Sequence, residues 1–400
     1  MKFAHLSDCH LGGWREPKLR EANTRSFIKA IDKVLEANVD FVLIAGDLFN
    51  TAVPSIDSLK TATRQLKRVR DKDIPVYFIA GSHDFSPSGK TMLDVLEHAG
   101  LAKNVARGEE TEDNKIRLKF TIDPKTGAKI TGMIGKKGGL EKEYYPLLIR
   151  DELEREEGVK IFMFHSALAE LKPKGLEQMD GIAVSSMPKG FDYYAGGHVH
   201  VVDKASIGEH NNIVYPGPIF PNNFAELEKL KHGTFVLYDD GNIEHVPLPI
   251  FSVVLLTVDA ENKTKATVEA EIKQKLAGQN VKDAIVAIRV KGCLHQGRPA
   301  DIDWNGLFQE CYDRGAYVVM KNTNALSSKE FEAIAVKEAN VEEVEESILR
   351  EHASQFKFSD NDVELARKAM QMLSAEKRDG ERVADFETRV TQDLDKLFEK

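Results

Sequence analysis

KFAHLSDCH, residues 2–10, sets a short β-forming apolar run against an abrupt polar turn carrying an aspartate and a histidine. Four further runs end in the same way. FVLIA (41–45) is followed by Gly46-Asp47, and VYFIA (76–80) by Gly81-Ser82-His83-Asp84. KIFMF (160–164) is followed by His165, and YYAGG (193–197) by His198-Val199-His200. Helical patterns near 22–37 and 56–71 separate the first three runs, which is the alternation of βαβ units and predicts an α/β layer fold. In an open α/β sheet ligands bind beyond the carboxyl ends of the strands, so these separated positions are expected to converge there.

The residue types at those ends define the chemistry. In Asp-x-His and His-x-His the intervening residue points away, and the two ligands fall on one side of an extended or turning backbone. Imidazole with carboxylate suits divalent transition metals such as Mn, Fe or Zn. Asp8, His10, Asp47, His165, His198 and His200 are therefore placed around metal, with Asp47 where one carboxylate can bridge two ions. Gly46, Gly81, Gly196 and Gly197 let the chain turn sharply at the strand ends. A single histidine beside a strand is more often a hydrogen-bonded structural residue, and the weight here comes from five strand ends together. Cys9 reads as a small packed residue.

Ser88-Gly89-Lys90-Thr91 looks like the end of a phosphate-binding P-loop. That motif, G-x-x-x-x-G-K-[ST], needs a glycine five positions before Gly89, and Asp84 stands there. The segment instead predicts a turn into a helix through Met92, Leu93, Val95 and Leu96, with Ser88 as N-cap.

The whole chain bounds the function. Its 400 residues are 42% hydrophobic and 30% charged, enough for two or three domains with substantial cores. Three cysteines, Cys9, Cys293 and Cys311, are too few for a disulfide framework or a thiolate zinc site. No apolar run approaches the roughly 18 residues of a membrane span, and MKFAHLSD lacks a secretory apolar stretch, so a cytoplasmic location is expected. The formal charge of −9 argues against nucleic-acid binding by bulk positive charge. Residues 341–400 hold 10 basic and 16 acidic side chains, however, and so account for six of those nine charges.

The α/β pattern of residues 1–246 continues through strands at KIRLKFTI, AKITGMIG, FDYYAGG and TFVLYDD, with a surface helix expected near 138–157. A compact α+β unit follows over 247–327, and residues 328–400 turn helical. There, Val341, Val344 and Ile348 share one face, as do Val363, Ala366, Met370 and Leu373, and Val383, Phe386, Val390, Leu394 and Leu397.

The ordered set of Asp-x-His, Gly-Asp, Gly-x-His-Asp, a lone His and Gly-His-x-His resembles the calcineurin-like metallophosphoesterases. HLSDCHLG, AGDLFNTAVPS and GSHDFSPSGKTMLDVLEHAGL further resemble the SbcD-type DNA double-strand-break repair nucleases. The resemblance implies a layered α/β/β/α sandwich, a small α+β capping domain that binds DNA, and a helical C-terminal region that docks an SbcC-type ABC ATPase. It also implies two divalent ions, Mn2+ foremost, a homodimer, 3'-to-5' exonuclease and single-strand endonuclease activity, and a catalytic role for His83 as acid or transition-state stabiliser, oriented by Asp84.

Two positions depart from that pattern. The family has an asparagine ligand where Ser82 stands, and often a histidine where Asn50 stands. A serine hydroxyl is a shorter, weaker metal donor, and a neutral amide cannot deliver a proton near neutral pH.

Arg15, Lys18, Arg20, Lys90, Arg289, Lys291 and Arg298 are candidate phosphate contacts, each also readable as solvated surface charge. Trp14 could stack on a base or pack under its loop. Two alternatives stay open: a small-molecule phosphodiesterase or phosphatase, and a DNA-end-binding scaffold whose catalysis has weakened through Ser82 and Asn50.

Overall fold

The computed structural model describes residues 1–86, 91–172, 180–329, 360–375, 377 and 383–398. The first sheet is built from the opening βαβ units: β1 (Lys2–Leu6), α1 (Pro17–Glu36), β2 (Phe41–Ala45), α2 (Ile56–Arg70), β3 (Val76–Ile79), α3 (Met92–His98) and β4 (Lys103–Asn104). Its four strands run parallel, as crossover helices require. After a ribbon of β5 (Gly108–Glu110) and β6 (Ile116–Leu118), the second sheet is formed from β7 (Thr121–Ile122), β8 (Lys129–Gly132), β9 (Lys160–His165), β10 (Tyr193–Gly197), β11 (Val202–Ile207) and β12 (His210–Pro216), in the order β11-β12-β10-β9-β8-β7. The chain then returns through β13 (Gly233–Asp239) and β14 (Asn242–Leu248), which complete the first sheet as β14-β13-β1-β2-β3-β4.

Side-chain alternation explains the layering. Within β2, Phe41, Leu43 and Ala45 pack toward the second sheet, whereas Val42 and Ile44 pack in the core beneath α1 and α2. In β9, Ile161 and Met163 meet the first sheet, and Phe162 and Phe164 turn to the opposite face. A period of two on strands buried on both faces gives near-continuous apolar runs and a helix/sheet/sheet/helix order. The inter-sheet core is aromatic: Phe3 stacks on Phe41 and meets Tyr193 edge-on, each at 5.0 Å between ring centroids. Such pairs add about 0.5–1.5 kcal/mol beyond their burial.

Two local expectations are corrected. Residues 138–157 do not form one helix but two 3₁₀ turns, Lys137–Glu143 and Tyr145–Leu147, and then α4 (Arg150–Arg155). Gly138 and Gly139 at φ +74° and +71° interrupt the helical backbone, and Pro146 removes a donor. α3 is capped not by Ser88 but by Thr91, whose Oγ1 accepts from Leu93 N at 3.2 Å while Asp94 accepts from Thr91 N at 2.8 Å. Ser88 and Lys90 lie outside the described residues.

Beyond β14 come β15 (Ser252–Asp259), α6 (Lys265–Ala277), β16 (Ala284–Leu294), α7 (Trp304–Asp313) and β17 (Val318–Ser328), with a three-stranded sheet in the order β15-β16-β17. The chain divides into two compact units, one of Met1–Leu255, Gln279–Ala287 and Glu310–Met320, the other of Leu256–Gly278, Ile288–Gln309 and Lys321–Lys400. In the second, Val268, Ile272 and Leu276 of α6 are buried at four-residue spacing. Helices Asp360–Leu373 and Val383–Phe398 pack on each other. The face of Val341, Val344 and Ile348 lies outside the described residues. Among them, no helix is long and apolar enough to cross a membrane.

Candidate metal centre

The carboxyl ends of β1, β2, β3, β9 and β10 meet. Backbone ties set the loops: Asp8 N donates to Gly46 O at 3.1 Å, and His10 N to Asp47 O at 2.9 Å. The approach is so close that a Cβ on Gly81 would lie 2.2 Å from Asp47 Oδ1, and one on Gly46, at φ +88°, 2.2 Å from His165 Nδ1. Side-chain ligand atoms of three sets gather, each set within 4.8 Å: Asp8, His10 and His200; His10, Asp47 and His83; Asp8, Asp47 and His165.

His198 enters differently. Its N–H donates to Asp8 Oδ1 at 3.0 Å and its ring stands 5.1 Å from that of His165, but its ring is not one of the gathered groups among the described residues.

Outer partners fix the imidazole tautomers. His165 Nδ1 donates to the Ala45 carbonyl at 2.8 Å, which leaves Nε2 as the lone-pair nitrogen. His200 Nδ1 donates to Glu226 Oε1 at 2.9 Å, and its Nε2 lies 2.9 Å from His10 Nε2 and 3.6 Å from Asp8 Oδ1. Sequence reasoning missed Glu226. The signal was Asn223-Phe224-Ala225-Glu226, a helix-start pattern in which Asn223 caps α5 (Phe224–Leu230) and places the glutamate one turn in.

Asp84 is not the partner of His83. Its buried carboxylate accepts from Leu48 N, Phe49 N and Gly81 N at 3.2, 3.0 and 3.1 Å, tying the β2 and β3 loops together. His83 Nδ1 instead meets the Asn50 carbonyl at 2.8 Å, and His83 N donates to Asp47 Oδ1 at 2.7 Å. Asn50 thus contributes its main chain to the orientation of His83. Ser82 Oγ donates to Asp47 Oδ2 at 3.4 Å. Cys9 is fully buried in the core under α1, as a packed residue.

The backbone at the site is strained. Asp8, His10, Asp47, His198 and His200 all have positive φ, between +42° and +96°. Non-glycine residues rarely adopt this region, and clusters of such residues mark sites where geometry is held by the surrounding fold.

The electrostatics call for a cation. Asp8 and Asp47 are each 1% exposed, and the groups paired with them that can carry positive charge are imidazoles. Burial pushes the Asp8 carboxyl up, but the His200 and His165 charges outweigh it and hold the group below its ordinary value. Burial likewise opposes ionisation of Asp47, while His165 beside it pulls the carboxyl far down. Burial lowers His10 and His198 to about 4, so both are neutral donors at neutral pH. Asp84 is pushed up to about 7 by burial and by Asp47.

The donor set fits a divalent metal. His165 Nε2 is buried and has no hydrogen-bond partner, although Asp47 Oδ2 is 3.1 Å away. Burial opposes a charge on His165, but Asp47 and Asp8 outweigh it and raise the imidazole to about 10, so that positive charge is drawn between these two atoms, where a metal cation can take the place of the proton. Asp8, His10, Asp47, His165 and His200 would hold it, and mixed imidazole and carboxylate donors suit Mn, Fe or Zn.

Of the residues considered for phosphate contact, Lys18 and Arg20 spend their head groups locally. Lys18 Nζ donates to Tyr317 O at 2.7 Å and Arg20 Nε to Trp14 O at 2.8 Å. Trp14 packs beside Leu19, Ala22 and Phe220, with Nε1 donating to Pro221 O at 2.9 Å.

The family described as calcineurin-like phosphoesterase matches residues 1–202, just over half of the chain. The chain belongs to that family of metal-dependent phosphoesterases. Among curated relatives, the DNA double-strand break repair protein Mre11 of Archaeoglobus fulgidus is 29% identical over 242 residues, covering 58% of this chain and 52% of that protein. The protein of the same name from Thermoplasma acidophilum is 27% identical over 296 residues, covering 70% and 73%. The chain thus spans about half the length of the first of these. A solved dimetal phosphatase from Danio rerio is 10% identical, covers 62% of this chain and 98% of that one, and has a TM-score of 0.38.

Proposed function

We propose that this chain is a two-metal DNA nuclease that hydrolyses phosphodiester bonds at double-strand breaks. The observation that carries the reading is the pair of buried carboxylates, Asp8 and Asp47, which join His10, His165 and His200 in overlapping sets whose ligand atoms lie within 4.8 Å of one another in each set. Relatives named for DNA double-strand break repair align well past the catalytic family's own span, which favours DNA over a small phosphoester as substrate.

When bound, two divalent cations, of which Mn2+ fits the donors, supply Lewis-acid charge to a phosphodiester and acidify water. The protein's own contribution is positioning. Asp8 and Asp47 provide the negative charge that retains cations, and Ala45 and Glu226 hold the imidazoles in their tautomers. His83, with Nδ1 committed to Asn50, presents Nε2 toward the leaving oxygen as acid or transition-state stabiliser. Asn50's amide can hydrogen-bond a phosphate oxygen but cannot protonate one.

In this reading 3'-to-5' exonuclease and single-strand endonuclease activities, a homodimer and a cytoplasmic setting follow the family. Residues 247–327 correspond to the family's DNA-binding capping domain, and residues 328–400 dock an SbcC-type ABC ATPase. The test is cleavage of end-labelled duplex DNA and of a chromogenic diester in manganese, with and without the ATPase. Cleavage of DNA supports the proposal, and turnover of the small diester alone overturns it in favour of a small-molecule phosphodiesterase. Ser82, which gives Asp47 a hydroxyl donor in place of an amide ligand, favours a second reading as a weakly catalytic DNA-end scaffold. DNA and ATPase binding without any cleavage would establish that one.

A further inference from the structure

β8 is the strand whose carboxyl end the sequence reading left without a role. It runs parallel to β9, with Gly132 beside Met163, so its end emerges next to His165. Gly135 N donates to Ala80 O at 2.9 Å, and a Cβ on Gly135 would lie 2.5 Å from His165 Cδ2. The next residue is Lys136. Its ammonium sits over the Tyr144 ring, 3.7 Å from the centroid, and 5.6 Å from that of Phe85, in the turn that carries His83. Among the described residues it pairs with no carboxylate. The buried Glu141 is committed elsewhere, accepting from Ser166 Oγ at 2.7 Å and from Lys136 N, not Nζ, at 3.2 Å.

Behind Lys136 opens a cleft of about 230 Å³ between the β5–β6 ribbon and the end of β8. Ile116, Leu118, Met133 and Ile134 wall it, and Lys136 and Tyr144 lie at its polar side. The exposed Glu109 and Glu110 are also on its lining, and Glu109 is neutralised by Lys119 at 2.6 Å. A cation held in place by aromatic faces and left without an acid, at the edge of a phosphoesterase centre, is complementary to a phosphate. An apolar slot beside it suits the flat face of a base, and stacking or burial of a base tolerates any sequence.

We propose that Lys136 and this cleft bind the nucleotide flanking the scissile phosphodiester. Lys136 takes its phosphate and the cleft takes its unstacked base, so the site favours a single-stranded or frayed end. The inference rests on the phosphodiesterase reading above.

The test compares kcat/KM for a short single-stranded oligonucleotide and for bis(p-nitrophenyl) phosphate, which has no flanking nucleotide, in manganese. Lys136→Met is expected to lower the preference for the oligonucleotide about tenfold, through KM rather than kcat, because an ionic contact to phosphate is lost. Lys136→Arg should keep most of the preference. Ile134→Trp, which fills the cleft without touching Lys136 chemistry, should lower it as well. A preference unmoved in both Lys136→Met and Ile134→Trp overturns the proposal. Failure of the unaltered protein to cleave either substrate would instead overturn the phosphodiesterase reading.

Discussion

The two halves of the centre use the same residue types and differ in what stands behind them. Around Asp8, His200 is backed by a carboxylate, Glu226, itself held by the amide of Asn222 at 2.7 Å. Around Asp47, His165 is backed by the neutral carbonyl of Ala45, and Ser82 Oγ points a hydroxyl proton at the carboxylate. A charged partner raises imidazole basicity, whereas a hydroxyl donor competes for a carboxylate lone pair. The difference teaches that two ions in one cluster need not be held alike, and it predicts a tighter ion on the Asp8 side and a looser one on the Ser82 side.

The largest effect tests what the halves share. Asp47 contacts groups of both, so Asp47→Asn should abolish tight binding of both ions, seen as loss of stoichiometric manganese by calorimetry. Retention of one tight ion would assign Asp47 to a single half. Next, His83→Ala should lower manganese-dependent diester cleavage by about 10²–10⁴-fold, the range of a lost acid, with ion binding preserved. Undiminished turnover would remove His83 from the chemistry. Glu226→Gln should weaken one ion by about 10–100-fold while sparing the other, and equal weakening of both would dissolve the proposed asymmetry. Smallest, Ser82→Asn should tighten the looser ion several-fold, on the order of 1 kcal/mol. No change in either ion would show that Ser82 leaves no gap.

A third buried imidazole provides the contrast of no ion pair among the described residues. His5 faces the inter-sheet core, with Nδ1 3.0 Å from the Tyr193 hydroxyl, and burial lowers it to about 3. The unfolded chain takes up a proton below pH about 6.5 and the folded one does not. Stability is therefore unaffected above that pH and falls by about 1.4 kcal/mol per pH unit on the way down to about 3. His5→Asn should remove one proton from the slope of melting temperature against pH between 6 and 4, and an unchanged slope would place the proton elsewhere.

What the sequence made legible follows from what is local. Strand runs ending in ligands could be read because burial on both sides of a sheet leaves continuous apolar stretches, and Asp8, His10, Asp47, His165 and His200 do gather at those ends. Glu226 could not be read as part of the site, because its partner His200 is 26 residues away and nothing in a helix-start pattern says what the glutamate faces. Asp84 was assigned to its neighbour His83, but the tight Gly81 turn directs it to backbone amides instead. The broken helix at 138–157 was concealed by its Glu and Lys content, which outweighed Gly138, Gly139 and Pro146 in a propensity reading. Positive φ at Asp8, His10, Asp47, His198 and His200 is set by tertiary packing and leaves no mark on residue type.

Anomalous diffraction at the manganese edge, from crystals grown in that metal, tests the central claim most directly. Two peaks flanking Asp47, with the one nearer Ser82 at lower occupancy, are predicted. A single peak, or peaks remote from Asp8 and Asp47, would contradict the account.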